Sequence, residues 1–126
     1  VPFIIRWTGR LPAGKVDPRP IIQLDVLPTA LAAAGVEPKP EWRLDGVNLL
    51  PYLTGNSRQA PHETLYWRLF AHMAIRKGPW KLVKTMDGPL LFADTSQPDL
   101  SGVQLFNVTE DIGEARDLAA IHPDKA

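Results

Sequence analysis

Apolar positions in the first half of the chain come in short blocks separated by proline and glycine. Residues 1–7 (Val1-Pro2-Phe3-Ile4-Ile5-Arg6-Trp7) are almost continuously apolar, which predicts a strand covered on both faces. Residues 8–20 alternate charge with Gly and Pro and read as loop. Asp25 then stands where a helix N-cap is expected. Pro28 falls in the following first turn, where its missing N–H costs little, and Leu27, Ala30, Leu31 and Ala34 form an apolar stripe that Gly35 stops. A strand, a loop and a helix together predict one α/β layer. Residues 37–41 read as an extended linker and Leu44-Asp45-Gly46 as a turn. Residues 47–53 read as a short helical or irregular apolar stretch ended by Thr54-Gly55-Asn56.

From Glu63 onward the pattern turns to β. Residues 64–70 are rich in aromatic and branched side chains, and residues 73–76 and 80–85 flank Lys77-Gly78-Pro79, a compact hairpin signal. Residues 86–101 form a long turn-rich excursion, and 103–108 predict one more strand. Residues 111–114 read as a turn before a short helical end near 117–121. The expected fold class is therefore α+β: a strand-loop-helix unit from a larger α/β domain, then a roughly four-stranded antiparallel sheet with a short C-terminal helix. The division is expected as 1–60 and 61–126.

The opening run has the character of a buried strand, whereas chain termini usually lie at the surface and are loosely tied. This predicts a segment of a longer protein, whose exposed first strand would drive self-association through residues 1–35. Composition narrows the partners. The 126 residues are 44% hydrophobic, too apolar for a disordered tail, and their net charge of +0 gives no field to draw nucleic acid or an anionic membrane surface. No apolar run approaches the roughly 20 residues that span a bilayer. The absence of cysteine excludes disulfides, thiolate metal sites and a cysteine nucleophile within these residues.

Candidate chemistry is sparse. His62, His72 and His122 lie far apart without helical pairing, which predicts surface or loop histidines and no metal site. Asp17, Asp25, Asp45 and Asp111 sit beside Gly, Pro or a helix start and read as caps and turns. Asn107-Val108-Thr109 fits a glycosylation sequon, a triplet common by chance. The aromatic and basic set of the second half is more suggestive. Tyr66, Trp67, Arg68, Phe70 and His72, followed by Arg76, Lys77, Trp80, Lys81 and Lys84, combine flat faces with cationic heads, as a sugar or anion site requires. On a strand the same residues also serve as alternating core aromatics and solvated lysines.

Several blocks in order carry a family resemblance: Val1 to Gly14, Leu24-Asp25-Val26-Leu27-Pro28-Thr29 to Gly35, and Leu44-Asp45-Gly46-Val47-Asn48-Leu49-Leu50-Pro51-Tyr52-Leu53. Leu65-Tyr66-Trp67-Arg68, Ala74-Ile75-Arg76-Lys77-Gly78-Pro79-Trp80-Lys81-Leu82-Val83 and Leu105-Phe106-Asn107-Val108 through Asp117-Leu118-Ala119 follow. In this succession the chain resembles the C-terminal part of arylsulfatases, in the alkaline-phosphatase-like superfamily. The resemblance implies hydrolysis of sulfate esters by a formylglycine nucleophile beside a calcium ion, both expected in the parent protein upstream of these residues. No C-x-P-S-R or S-x-P-S-R motif occurs in the chain, so no catalytic or metal residue is carried over. The segment alone is expected to be inactive. Its expected role is to shape the substrate pocket, with Trp67, Arg68 and His72 as candidate substrate-binding residues. The resemblance further implies a sulfated small molecule or sulfated glycan as substrate and a periplasmic or secreted location. The alternatives are part of a phosphate or phosphonate ester hydrolase, or a non-catalytic carbohydrate-binding module.

Overall fold

The computed structural model describes residues 2–85 and 101–126, which divide into two compact units, Val1–His62 and Glu63–Ala126. The expected excursion at 86–101 lies outside the described residues, apart from Ser101 in a turn.

In the first unit the expected opening strand does not form. Residues 2–7 have no regular structure, and Phe3, Ile4 and Ile5 are exposed, Ile4 to 90%. A strand needs neighbours for its N–H and C=O groups, and no described strand pairs with this segment. The Trp7 carbonyl instead accepts from the N–H groups of Arg10 and Leu11, closing a turn.

Helix α1 (Val26–Ala33) follows a single 3₁₀ turn at Gln23–Asp25. It forms where expected but turns the other way. Leu27 is 53% exposed, Ala30 and Ala34 lie outside and Leu31 is half-buried, whereas Asp25, Pro28 and Thr29 are buried. The cause is the backbone of residues 46–49, which presents N–H donors that an apolar stripe cannot satisfy. Asp25 Oδ1 accepts from Val47 N–H at 2.9 Å, and Thr29 Oγ1 accepts from Leu49 N–H at 2.9 Å. Gly46 permits this approach, since a Cβ there would collide with the Leu24 carbonyl and lie 2.7 Å from the Asp25 nitrogen. Helix α2 (Leu50–Leu53) is the expected short apolar turn. Asn48 Oδ1 accepts from Leu50 N–H at its start, and Gly55 with φ 88° lies just beyond its end.

Arg19, unmarked in the sequence pattern, staples the loops of this unit. Its guanidinium donates to Asp17 (Nε to Oδ1, 2.9 Å) and to the carbonyls of Tyr52 (2.9 Å), Ser57 (3.2 Å) and Gln59 (2.9 Å).

The second unit is the expected four-stranded antiparallel sheet, β1 (Thr64–Leu69), β2 (His72–Lys77), β3 (Trp80–Lys84) and β4 (Gln104–Asn107), in the order β1-β2-β3-β4. The β2–β3 hairpin turns on Gly78-Pro79 as expected, with Lys77 paired to Trp80 and Gly78 at φ 57°. Proline cannot adopt positive φ, so glycine takes the first central position, as in a type II′ turn. The β1–β2 hairpin has the same two-residue length, but its first central residue is Phe70 at φ 53°. The expected terminal helix does not form. Residues 118–125 make turns in which Leu118 O accepts from Ile121 and His122 N–H, and Pro123 offers no N–H to extend a helix. This tail covers the outer edge of β4: Leu105 N–H donates to Asp117 Oδ1 (3.1 Å), and Leu105 O accepts from Leu118 N–H (2.7 Å). Leu65, Leu105, Phe106 and Val108 form the buried core of this unit.

Candidate functional site

Side chains alternate across a strand, so the register sorts the aromatic and basic residues onto two faces. Trp67, Ala74, Val83 and Gln104 form one row across the sheet, and Leu65, Arg76, Lys81 and Phe106 the next row on the same face. His72, paired with Leu69, also lies on this face. The opposite face carries Tyr66, Arg68, Lys77, Trp80 and Lys84.

The sheet thus brings together two of the three expected substrate-binding residues. Trp67 and His72 are diagonal neighbours on one face, a separation of about 7–8 Å in such pairs. Arg68 belongs to the other face, where its Nε donates to the Phe70 carbonyl at 3.1 Å. Trp67 is half-buried and stands opposite Ala74 in the register. The turn closing this end holds Phe70 in the left-handed region, which costs an ordinary residue about 1–2 kcal/mol. Such strain is concentrated at functional sites and ligand clamps.

Further members of the set are also engaged within the unit. Lys77 pairs with Glu63 at 3.2 Å on the surface, and Lys81 Nζ donates to Glu114 Oε1 at 2.6 Å. The Trp80 ring meets the His122 ring edge-on at a centroid distance of 5.2 Å and lies beneath Lys125 Nζ at 5.3 Å. His122 is therefore part of the packing of the tail and no isolated surface residue.

In the first unit, His62 departs furthest from its reading as a surface or loop histidine. Its side chain is only 12% exposed, and Nε2 donates to both carboxylate oxygens of Asp25, at 2.9 and 2.8 Å. Asp25 is 0% exposed. Its carboxylate makes no cap bond to α1 but accepts from Ile22, Val47 and His62. Asp25 is structural, as expected, although through a buried network. Asp25 and His62 are separated by 37 residues, so no local spacing in the sequence marks them. With both oxygens occupied by donors, Asp25 does not fit a calcium ion. Among the described residues no group of three or more His, Cys, Asp or Glu is placed to hold a metal.

Asp17, Asp117 and Asp124 have lowered pKa values. The Arg19 guanidinium, donating to Asp17, lowers its pKa to about 2. The Ala119 and then the Leu105 N–H groups hold Asp117 below the usual carboxylate range.

No protein-family model matches the chain. Curated relatives do. The Escherichia coli sulfatase YdeN is 39% identical over 66 residues, 52% of this chain and 12% of that protein. Human arylsulfatase D is 37% identical over 73 residues (58% and 12%), and human steryl-sulfatase 38% over 81 residues (63% and 14%). Among solved structures, Ps i-CgsB superposes with a TM-score of 0.68 at 30% identity, covering 95% of this chain and 24% of that one. It has also been solved in complex with k-i-k-neocarrahexaose. A Bacteroides thetaiotaomicron protein from a glycosaminoglycan-metabolism locus matches at TM-score 0.67 and 16% identity, over 95% and 26%, which speaks for the fold alone. The chain therefore spans a small part of the proteins it matches. In sequence and in fold it is a homologue of sulfatases, and the resemblance read from its residues holds.

Proposed function

We propose that this chain is part of a sulfuric ester hydrolase, and that the Trp67 and His72 face of its sheet helps hold the substrate beyond the scissile sulfate. The observation that carries the reading is the likeness to several sulfatases, 37–39% identical in three of them. An indole gives the apolar face of a sugar a flat partner, and a neighbouring imidazole supplies a polar donor. A sulfated glycan is the favoured substrate class, since Ps i-CgsB is seen with a neocarrahexaose. Calcium, formylglycine and a periplasmic or secreted setting belong to this proposal by family resemblance. The nucleophile is assigned outside these 126 residues, which contain no cysteine and no S-x-P-S-R motif.

The chain alone is expected to hydrolyse 4-nitrophenyl sulfate no faster than buffer, with or without calcium. Calorimetric titration with sulfated neocarrahexaose should show binding that weakens by roughly tenfold in Trp67→Ala, with circular dichroism unchanged. His72→Ala should weaken it in the same direction. Turnover by the pure chain would overturn the assignment of the nucleophile elsewhere. Equal binding by native and both variants would remove the role given to this face. Light scattering on the same samples tests the proposed self-association through residues 1–35, for which a strict monomer is the opposing result.

A further inference from the structure

Arg76 is the member of the aromatic and basic set whose charge stays uncompensated on the Trp67 face among the described residues. It pairs with Leu65 on one side and Lys81 on the other. Lys81 is neutralised by Glu114 at 2.6 Å. The Arg76 guanidinium, among the described residues, makes one hydrogen bond, from Nε to the Gly78 carbonyl at 3.2 Å, and no ion pair. That bond restrains the Nε edge of the guanidinium and leaves its two terminal nitrogens to other acceptors. Arg76 is half-buried as a residue, and its bond to the Gly78 carbonyl lies at the surface, so the guanidinium is accessible to an anion. Two cations directly opposite one another repel, yet the described residues neutralise only one of them. The residual charge can attract an anion from outside the chain.

The register then gives the arrangement its direction. Trp67 is opposite Ala74, so its two diagonal neighbours on β2 are His72 and Arg76. They lie four residues apart on one strand face, about 13 Å at the strand rise. Trp67 thus has His72 and Arg76 at its two diagonal positions on β2. We infer that Arg76 forms a second anion subsite, so that this face recognises a glycan with at least two anionic groups. A sugar ring would lie against Trp67 and a sulfate accept a two-pronged bond from Arg76. The inference rests on the proposed substrate-holding role of the Trp67 face and adds to it the substrate class, a multiply charged oligosaccharide.

The test compares sulfated neocarrahexaose with the same hexaose after chemical desulfation, by calorimetric titration of the 126-residue chain at two salt concentrations. Arg76→Ala should weaken binding of the sulfated sugar by roughly tenfold, reduce its salt dependence, and leave the desulfated sugar unaffected. Arg76→Lys, which keeps the charge but not the fork, should fall between. Should Arg76→Ala fail to fold by circular dichroism, Arg76→Gln serves in its place. If Arg76→Ala binds the sulfated sugar as tightly as native while Trp67→Ala loses it, the second subsite is overturned and the substrate face stands. If both sugars lose affinity equally, Arg76 is only a packing residue and the inference fails. If the native chain binds neither sugar, the face and its subsite fall together.

Discussion

In the first unit the buried side of α1 is made of Asp25, Pro28 and Thr29, with Ile22 and Leu49 the buried apolar residues of that unit. In the second unit Leu65, Leu105, Phe106 and Val108 fill the interior. In the second unit β1, β2 and β3 rest on ladders between strands joined by two-residue turns, contacts that are local and repeated. The first unit rests on a few directed bonds from single side chains to distant backbone: Asp25 to Val47, Thr29 to Leu49, Arg19 to Tyr52, Ser57 and Gln59. A ladder tolerates the loss of one member. A buried side chain holding a backbone N–H does not, because its removal leaves an unsatisfied donor that costs about 1–3 kcal/mol.

The sharpest way to break this contrast is at Gly46. Gly46→Ala forces a methyl into the backbone of Leu24 and Asp25 and separates Val47 from the carboxylate. Backbone has little freedom to yield, so the expected loss is roughly 3 kcal/mol. Amide hydrogen exchange should show protection lost in α1 and retained in β2 and β3. Loss across both units would show that they fold as one cooperative body.

The two hairpins give an intermediate effect with opposite signs. A Cβ at Gly78 would meet open space, so Gly78→Val acts through backbone conformation alone and should destabilise by roughly 1–3 kcal/mol. Phe70→Gly, at the matching position of the other hairpin, should instead stabilise by up to about 1 kcal/mol by releasing the same conformation. Thermal melts of the two variants should shift in opposite directions; an unchanged melting temperature for Gly78→Val would contradict the turn.

The smallest effect is expected in acid. With its pKa at about 2, against an ordinary value of 3.8, Asp17 contributes stability that is present above pH 4 and lost as pH falls through 2. The partly exposed pair with Arg19 limits this to about 1 kcal/mol. Asp17→Asn should flatten that part of a stability–pH curve, and an unaltered curve would show that the Asp17–Arg19 pair adds nothing to the stability of the first unit.

The β2–β3 hairpin was legible because its signals are local: Gly78-Pro79 between apolar runs describes its own turn. The matching turn at Phe70 was not, since phenylalanine carries no preference for positive φ and its conformation is imposed by the pairing of Leu69 with His72. Similarly, the proline and glycine around α1 place it correctly, but its apolar stripe points to the wrong buried face. Such a stripe marks a core only where the neighbouring surface is apolar, and here that surface is the backbone of residues 46–49. Trp67, Arg68 and His72 stand out by residue type. Their separation onto two faces required the register, because a shift of one residue exchanges the faces.

By itself the sequence determined the elements whose causes lie within a few residues, namely the strands of the sheet, the Gly78 turn, α1 and α2, together with a likeness to sulfatases carried by blocks in order. Only the tertiary structure decided which way α1 turns, that His62 and Asp25 meet, that residues 2–7 make no strand, and that Arg76 lies diagonal to Trp67 on one face of the sheet. These depend on partners tens of residues away or on strand pairing. Hydrogen bonding and burial are satisfied between distant parts of the chain, and no local pattern records which donor will find which acceptor.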